Sequence, residues 1–265
     1  MTRGERLGLT DGDYRLHSSL DYINRAQTDP GFGPPDNVYG QLQQLMLYTS
    51  LAVPGFAMED DLESVRRYAE MGVRAGLEYF FGDWRNVPQR TIPVDAVGAD
   101  ELRKKLLYIS DFLRIVRMCG VISDWEAARR LAEYPDREEC RRPDGDCEEE
   151  NCYVFALCRF LLGEFHIERN DNEIKGILSR RSKRYKLLAA LMLDVSSRDT
   201  ESFNQHLNEY LKFYKNREFR KNIPQMVCYD GTFWINCARH VGMSPEWDSR
   251  FDDYLILLER DRPDR

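Results

Sequence analysis

Four cysteines in the middle of the chain are the first candidates for chemistry. Cys140, Cys147, Cys152 and Cys158 fall within 19 residues, and His166 follows them. Zinc sites built from thiolates and imidazoles usually contain two tight knuckles with two to four residues between the ligands. The intervening stretches here have six, four and five residues, which do not make that pattern. We therefore expect reduced thiols, with no metal and no other cofactor.

The histidines offer a second kind of chemistry, general base catalysis. They are scattered along the chain at His17, His166, His206 and His240. His206 and His240 fall in the C-terminal part, where Glu209 and Asp230 could approach them. A catalytic base works beside a nucleophile or another reacting group, and no nucleophile or glycine-rich loop stands at motif spacing here. We expect packing or surface histidines, and a protein that is not an enzyme.

A run of basic residues could bind phosphate groups. Its members are Lys175, Arg180, Arg181, Lys183, Arg184 and Lys186. From Lys175 to Lys221 there are 12 lysines and arginines against 5 acids, so this stretch carries +7 and the rest of the chain −14, given the net charge of −7. Tyr185 could stack on a base. Because the whole protein is acidic and the apolar face of the helix needs Tyr185, nucleic-acid binding is the weaker alternative.

An acidic segment, residues 136–151, has the opposite potential. Its acids are Asp136, Glu138, Glu139, Asp144, Asp146, Glu148, Glu149 and Glu150. No apolar periodicity runs through it, which predicts a solvated loop. Such a loop could cover the cationic groove of a basic protein partner.

The elements that position these residues are all predicted to be helices. Residues 170–254 are the clearest part, where one apolar stripe indicates a single helix over residues 174–195. The stripe contains Ile174, Ile177, Leu178, Tyr185, Leu188, Met192 and Val195. A second helix follows a cap at Asp199, a third presents Phe233 and Trp234, and a last one covers residues 248–259.

The N-terminal half gives similar signals. A helix over residues 38–53 should stop at Pro54, and Asp60 or Asp61 should cap the next one. Gly72 and Gly76 in that helix imply close approach of a neighbour. Gly120 should close a helix that opens at Asp100, and the sequence from Ser123 to Glu126 fits a capping box.

Length and composition suit one all-helical domain over residues 1–265, with a polar N-terminal segment, residues 1–35. Hydrophobic residues make up 42% and charged residues 31% of the chain, which is ordinary for a folded protein. No apolar run reaches the roughly 20 residues that cross a bilayer, and the N-terminus is too polar for a signal peptide. We expect an irregular multi-helix bundle with helical-hairpin packing in the cytoplasm.

The order of these features resembles the immunity protein 49 family of bacterial polymorphic-toxin systems, and also the immunity family that partners DNase toxins of the PoNe type. The resemblance rests on Tyr68–Phe80, Ser123–Ala132, Ala238–Met243 and Phe251–Leu255, and it covers about two thirds of the chain as pattern. The acidic segment departs from both families.

The resemblance implies a function without catalysis. An immunity protein of this kind binds a cognate toxin and occludes its active site or its substrate groove. The acidic segment would then contact a basic toxin. A helical scaffold would have the same sequence features, and a nucleic-acid binder using the basic run stays open as the other alternative.

Overall fold

A computed structural model describes residues 1–10, 21, 24–25, 38–82, 109–133, 148–164, 172–179, 181–222 and 225–258. Within these residues the chain forms eleven α-helices, two π-helical turns and one 3-10 helix, and no strand. The all-α class and the irregular multi-helix bundle are therefore confirmed.

The α-helices are α1 (Arg3–Arg6), α2 (Val38–Leu47), α3 (Val53–Met58), α4 (Leu62–Phe81), α5 (Ile109–Ile122), α6 (Trp125–Ala132), α7 (Glu148–Leu161), α8 (Asn172–Ser179), α9 (Lys183–Ser197), α10 (Thr200–Phe213) and α11 (Tyr229–His240). The π-helical turns are Tyr48–Ala52 and Tyr214–Glu218, and the 3-10 helix is Ser249–Tyr254.

Helix α5 packs extensively against both α4 and α11. One large hydrophobic cluster contains residues from Leu9 to Ile256. The predicted close approach at the glycines of α4 is confirmed, because a Cβ added at Gly76 would meet Ile115 at 2.6 Å and one added at Gly72 would meet Thr49 at 2.8 Å. These two contacts bring α4 against α5 and the first π-helical turn.

The prediction that Pro54 stops the first long helix is wrong. The chain stays helical from Val38 to Met58, with the π-helical turn Tyr48–Ala52 leading directly into α3. Pro54 occupies one of the first two positions of α3. Proline fits the start of a helix because the amide hydrogen that it lacks has no partner there, and the wider preceding turn separates two α-helical segments.

Caps are placed as predicted at two helices and differently at a third. Asp61 accepts from the amide of Ser64 at the start of α4, and Asp199 accepts from that of Ser202 at the start of α10. The cap of α6 is Asp124, which accepts from Ala127. The predicted capping box at Ser123 is wrong, because Ser123 has a φ of 57°.

The structure also corrects two other helix predictions. Gly120 does not close α5, which continues to Ile122 while its Gly120 lies against the ring of Phe233. The single helix predicted over residues 174–195 is two helices, α8 and α9. Leu178, assigned to the apolar stripe, is 44% exposed because it stands at the end of α8.

The last helix is shorter and tighter than predicted. Of residues 248–258, the described part of the predicted helix, Ser249–Tyr254 alone is helical, as a 3-10 helix, and Leu255 is extended. The chain leaves the helix because Leu255 and Ile256 are buried in the core while the amide of Ile256 donates to the hydroxyl of Thr232 on α11. Phe251 and Tyr254 of this 3-10 helix are buried in the core.

Candidate functional site

A polar cleft with a volume of about 310 Å³ lies among α5, α9, α10, α11 and the π-helical turn Tyr214–Glu218. It is lined by Arg117, Arg184, Tyr210, Tyr214, Arg217, Glu218, Arg220, Gln225, Val227, Tyr229 and Asp230. The volume falls at the lower end of the range for small-ligand sites. We call it the arginine cleft.

A buried carboxylate, that of Asp230, holds the cleft walls together. Arg117 donates to it twice, from Nε to Oδ1 over 2.6 Å and from Nη2 to Oδ2 over 3.1 Å. Arg184 Nη2 donates to Oδ2 over 2.9 Å, and the hydroxyl of Tyr210 donates to the same oxygen over 3.1 Å. One side chain therefore joins four helices.

The position of Asp230 at the start of a helix favours its ionised form. It stands in the first turn of α11, where the helix dipole favours an anion. Burial acts to raise the pKa of Asp230, but the charges and hydrogen bonds of Arg117 and Arg184 outweigh burial and lower this pKa to about 2. The carboxylate is ionised throughout the physiological pH range.

Glu218 is the second acid of the cleft. Its Oε1 lies 3.2 Å from Nε of Arg184, and its side chain is 21% exposed. Burial raises the pKa of Glu218 more than the charge of Arg184 lowers it. The π-helical turn carries Glu218 toward Arg184 and supplies Tyr214 and Arg217 to the same lining.

The tyrosine hydroxyls of the lining bind to the protein itself. Tyr214 donates to the carbonyl of Gln225 over 2.6 Å, and Tyr229 donates to the carbonyl of Thr49 over 3.1 Å. Burial raises the pKa of Tyr210, Tyr214 and Tyr229 above the ordinary value for a phenol. These rings are therefore neutral parts of the wall.

Two arginines at the mouth are exposed. Arg220 donates from Nη1 to the carbonyl of Phe219 over 2.7 Å, and within the described part of the chain no carboxylate forms an ion pair with Arg217 or Arg220. The mouth of the cleft is therefore cationic.

The predicted basic run divides between surface and cleft. Lys175, Arg181 and Lys183 are exposed, Lys186 is half-buried, and Arg180 lies outside the described residues. Arg184 differs from the exposed members of the run, because its guanidinium turns inward to Asp230 and Glu218.

Tyr185, the predicted stacking residue, is half-buried. Its ring centroid lies 5.7 Å from that of Tyr153 on α7. The side chain is thus part of the helix packing, as its place in the apolar stripe indicated.

The predicted acidic segment lies mostly outside the described residues, which is the case for Asp136, Glu138, Glu139, Asp144 and Asp146. The prediction of a loop up to residue 151 is wrong at its end, because Glu148, Glu149 and Glu150 are the first residues of α7. Three acids at a helix start suit the positive end of the dipole. The carboxylate of Glu149 also accepts from the amide of Ser182, over 3.4 Å.

The other candidates have structural neighbours instead of a shared site. His206 Nδ1 lies 2.7 Å from Oδ2 of Asp194 on the preceding helix, and His240 stacks on Trp125. The expected approach of Asp230 to a histidine is wrong, because its oxygens are occupied by Arg117, Arg184 and Tyr210. His17 and His166 lie outside the described residues.

Two of the four clustered cysteines, Cys140 and Cys147, also lie outside the described residues, and Cys152 and Cys158 lie on α7. Among the residues that the structure describes, no group of three or more potential metal ligands comes together. Cys119, Cys228 and Cys237 are buried, and burial raises the pKa of each of these thiols.

Arg117 and the part that Asp230 takes in the cleft were not predicted from the sequence. One signal was available for each: Arg117 interrupts an apolar stretch of α5, and Asp230 is the only acid in the sequence of α11. Charged residues rarely stand among buried apolar ones unless they are paired. The identity of the partner could not be read from either signal.

Comparisons with known proteins add no relative: no family model, no curated protein and no solved structure matches this chain. In the described residues, no helix has the length and apolar character needed to span a membrane.

Proposed function

We propose that this chain is a stoichiometric binding protein that neutralises a protein toxin by covering the toxin's active site or substrate groove. This is the function that the resemblance to immunity proteins implies, and we take the arginine cleft as the anchor for the partner. The observation that carries the proposal is that three side chains of the chain itself, Arg117, Arg184 and Tyr210, donate hydrogen bonds to the Asp230 carboxylate.

Because donors of the chain itself bind the Asp230 carboxylate, a binding role is favoured over a catalytic one. A general base works best when its pKa lies near the working pH, whereas the pKa of Asp230 is about 2 after burial is outweighed by the two arginines. The carboxylate instead fixes Arg117 and Arg184 in place. A surface that is already ordered loses less conformational entropy when a partner binds.

The residue types at the cleft suit a protein interface. Arginine and tyrosine are enriched among the residues that contribute most to binding energy. Arg217 and Arg220 are exposed at the mouth, and their charges favour an acidic group on the partner. A basic patch of the same toxin would face the acidic residues that precede and begin α7.

The nucleic-acid alternative loses two of its residues in this arrangement. Arg184 is held by Asp230, and Tyr185 is half-buried against Tyr153. Among the described residues of the run, phosphate contacts would then depend on the exposed Lys175, Arg181 and Lys183. The helical-scaffold alternative shares the cleft and differs in the nature of the partner.

The test is co-purification of the tagged chain from its native cells, followed by a high-salt wash and mass spectrometry. We expect one protein in equal amount with the wild-type chain. The variant Arg217→Glu/Arg220→Glu should lose it, while Arg74→Glu/Arg129→Glu, a matched charge change at exposed sites of α4 and α6, should retain it.

A growth assay then separates toxin neutralisation from scaffolding. The captured protein, expressed alone, should arrest growth, and co-expression of the wild-type chain should restore it. A captured protein without toxicity would instead support a scaffold. Recovery of nucleic acid, with affinity that falls steeply with salt, would overturn the proposal in favour of nucleic-acid binding.

A further inference from the structure

The arginine cleft has an unbalanced charge. Four arginines and two acids line it, which leaves a formal excess of two positive charges. These six residues are Arg117, Arg184, Arg217, Arg220, Glu218 and Asp230. Asp230 pairs with Arg117 and Arg184, and Glu218 pairs with Arg184. The excess positive charge therefore lies on Arg217 and Arg220, at the mouth of the cleft.

The inner arginines are Arg117 and Arg184, and the outer arginines are Arg217 and Arg220. The two pairs differ in how many N–H groups remain for a ligand. Arg117 uses Nε and Nη2 on Asp230, and Arg184 uses Nη2 on Asp230 with its Nε facing Glu218. Arg217 and Arg220 are exposed. The outer guanidiniums therefore keep most of their N–H groups for a ligand, and each can offer two parallel donors to an oxyanion.

The tyrosines of the lining donate their hydroxyl hydrogens to the protein itself and add no charge to the cleft. The hydroxyls of Tyr210, Tyr214 and Tyr229 donate to acceptors within the protein. Burial keeps these phenols neutral by raising their pKa, so they add no negative charge. An anion that enters the cleft meets guanidinium groups as its available charged donors.

The backbone at the cleft is also unusual. Tyr214–Glu218 is a π-helical turn, and it supplies three lining residues within five positions. Short π-helical insertions occur often at functional sites. Within this turn Arg217 is exposed, Tyr214 is buried, and Glu218 lies 3.2 Å from Nε of Arg184.

We propose that the arginine cleft binds a small phosphate monoester, held at its phosphate by Arg217 and Arg220. A phosphate monoester carries about −1.5 to −2 charges and three acceptor oxygens, so one group balances the excess. A monocarboxylate would balance only half of it. The volume of about 310 Å³ suits a molecule of mononucleotide size, and this ligand site stands on the charges of the cleft without needing the toxin partner.

The test is isothermal titration calorimetry of the purified full chain at low ionic strength. The probes are inorganic phosphate, adenosine 5′-monophosphate and, as the uncharged control, adenosine. We expect both phosphates to bind and adenosine not to bind. Tighter binding of the nucleotide than of phosphate would identify an organic part in the recognised ligand, whereas equal binding would assign the site to the phosphate group alone.

Variants locate the site. Arg217→Gln/Arg220→Gln should weaken phosphate binding by about tenfold or more, the loss expected for charge-assisted contacts. The matched variant Arg74→Gln/Arg129→Gln should leave it unchanged. All four positions are exposed, so both variants should keep the wild-type circular dichroism spectrum.

Three results would overturn the site. The first is no heat with either phosphate. The second is an equal loss in the two variant pairs, which would indicate non-specific attraction. The third is binding of adenosine as strong as that of the nucleotide, which would remove the phosphate as the recognised group.

Discussion

Arg117 and Asp230, 113 residues apart in the chain, form a two-point ion pair with distances of 2.6 Å and 3.1 Å. The pair joins α5 to α11, which also contact each other through Gly120 and Phe233. Arg184 brings α9 to the same carboxylate. The stability of this region and the shape of the arginine cleft therefore depend on one side chain.

Removal of the Asp230 charge should destabilise the protein strongly. Asp230→Asn leaves Arg117 and Arg184 without a counter-charge, and breaking a buried ion pair on one side costs about 3–5 kcal/mol. Urea denaturation followed by circular dichroism measures the loss. The control is Asp253→Asn, where the partly exposed pair with Arg6 contributes about 0–1 kcal/mol. Equal effects at the two positions would contradict the buried network.

Lowering the pH should weaken the stabilisation of the fold by the ionised Asp230 carboxylate, within a defined pH range. The pKa of Asp230 is about 2 in the folded protein, below its ordinary value of 3.8. A lowered carboxyl pKa stabilises the fold above the unfolded pKa, and the stabilisation disappears as pH falls through the folded pKa. The difference in unfolding free energy between wild type and Asp230→Asn should therefore shrink as pH falls from about 4 toward 2, and a constant difference would disprove the ionised carboxylate.

Gly120 should tolerate no side chain. A Cβ added there would meet the ring of Phe233 at 2.4 Å and its backbone at 3.1 Å, and overpacking of this kind costs about 1–3 kcal/mol. We expect Gly120→Ala to lower the denaturation midpoint. Gly176→Ala is the matched control, because its new Cβ would meet only the Cys152 sulfur at 3.7 Å and alanine favours a helix by about 0.5–1 kcal/mol.

The first turn of α7 offers a test of the acidic contact. Glu148→Gln/Glu149→Gln/Glu150→Gln removes three charges with little change of shape. If these acids guide a basic toxin, association should slow at low salt and the effect should fade at high salt. Stopped-flow mixing with the captured partner measures both rates. Unchanged association at low salt would remove this turn from the interface.

Local signals predicted that the chain is helical and where two of the helices begin. Asp61 and Asp199 cap α4 and α10 as expected, because a cap depends on the three residues that follow it. The glycines of α4 were also informative, since a mid-helix glycine is costly unless a neighbour comes close. Both kinds of inference need only a short stretch of sequence.

Long-range pairing made the cleft unpredictable. The contacts of Asp230 reach back 113 residues to Arg117, 46 to Arg184 and 20 to Tyr210. No spacing rule connects such positions, so Arg184 was grouped with its exposed neighbours in the basic run. The prediction that Pro54 ends a helix was wrong for a different, local reason: whether proline ends a helix or begins one depends on the turn that precedes it.

The reactivity of three buried thiols reports when the helices around them separate. Cys119 and Cys237 lie on the contacting helices α5 and α11, and Cys228 precedes α11 with its amide bound to the carbonyl of Tyr254. Alkylating reagents attack the thiolate, which burial suppresses at all three positions. Labelling in pulses, with each site resolved by peptide mass, would therefore time the separation of these helices without any introduced probe.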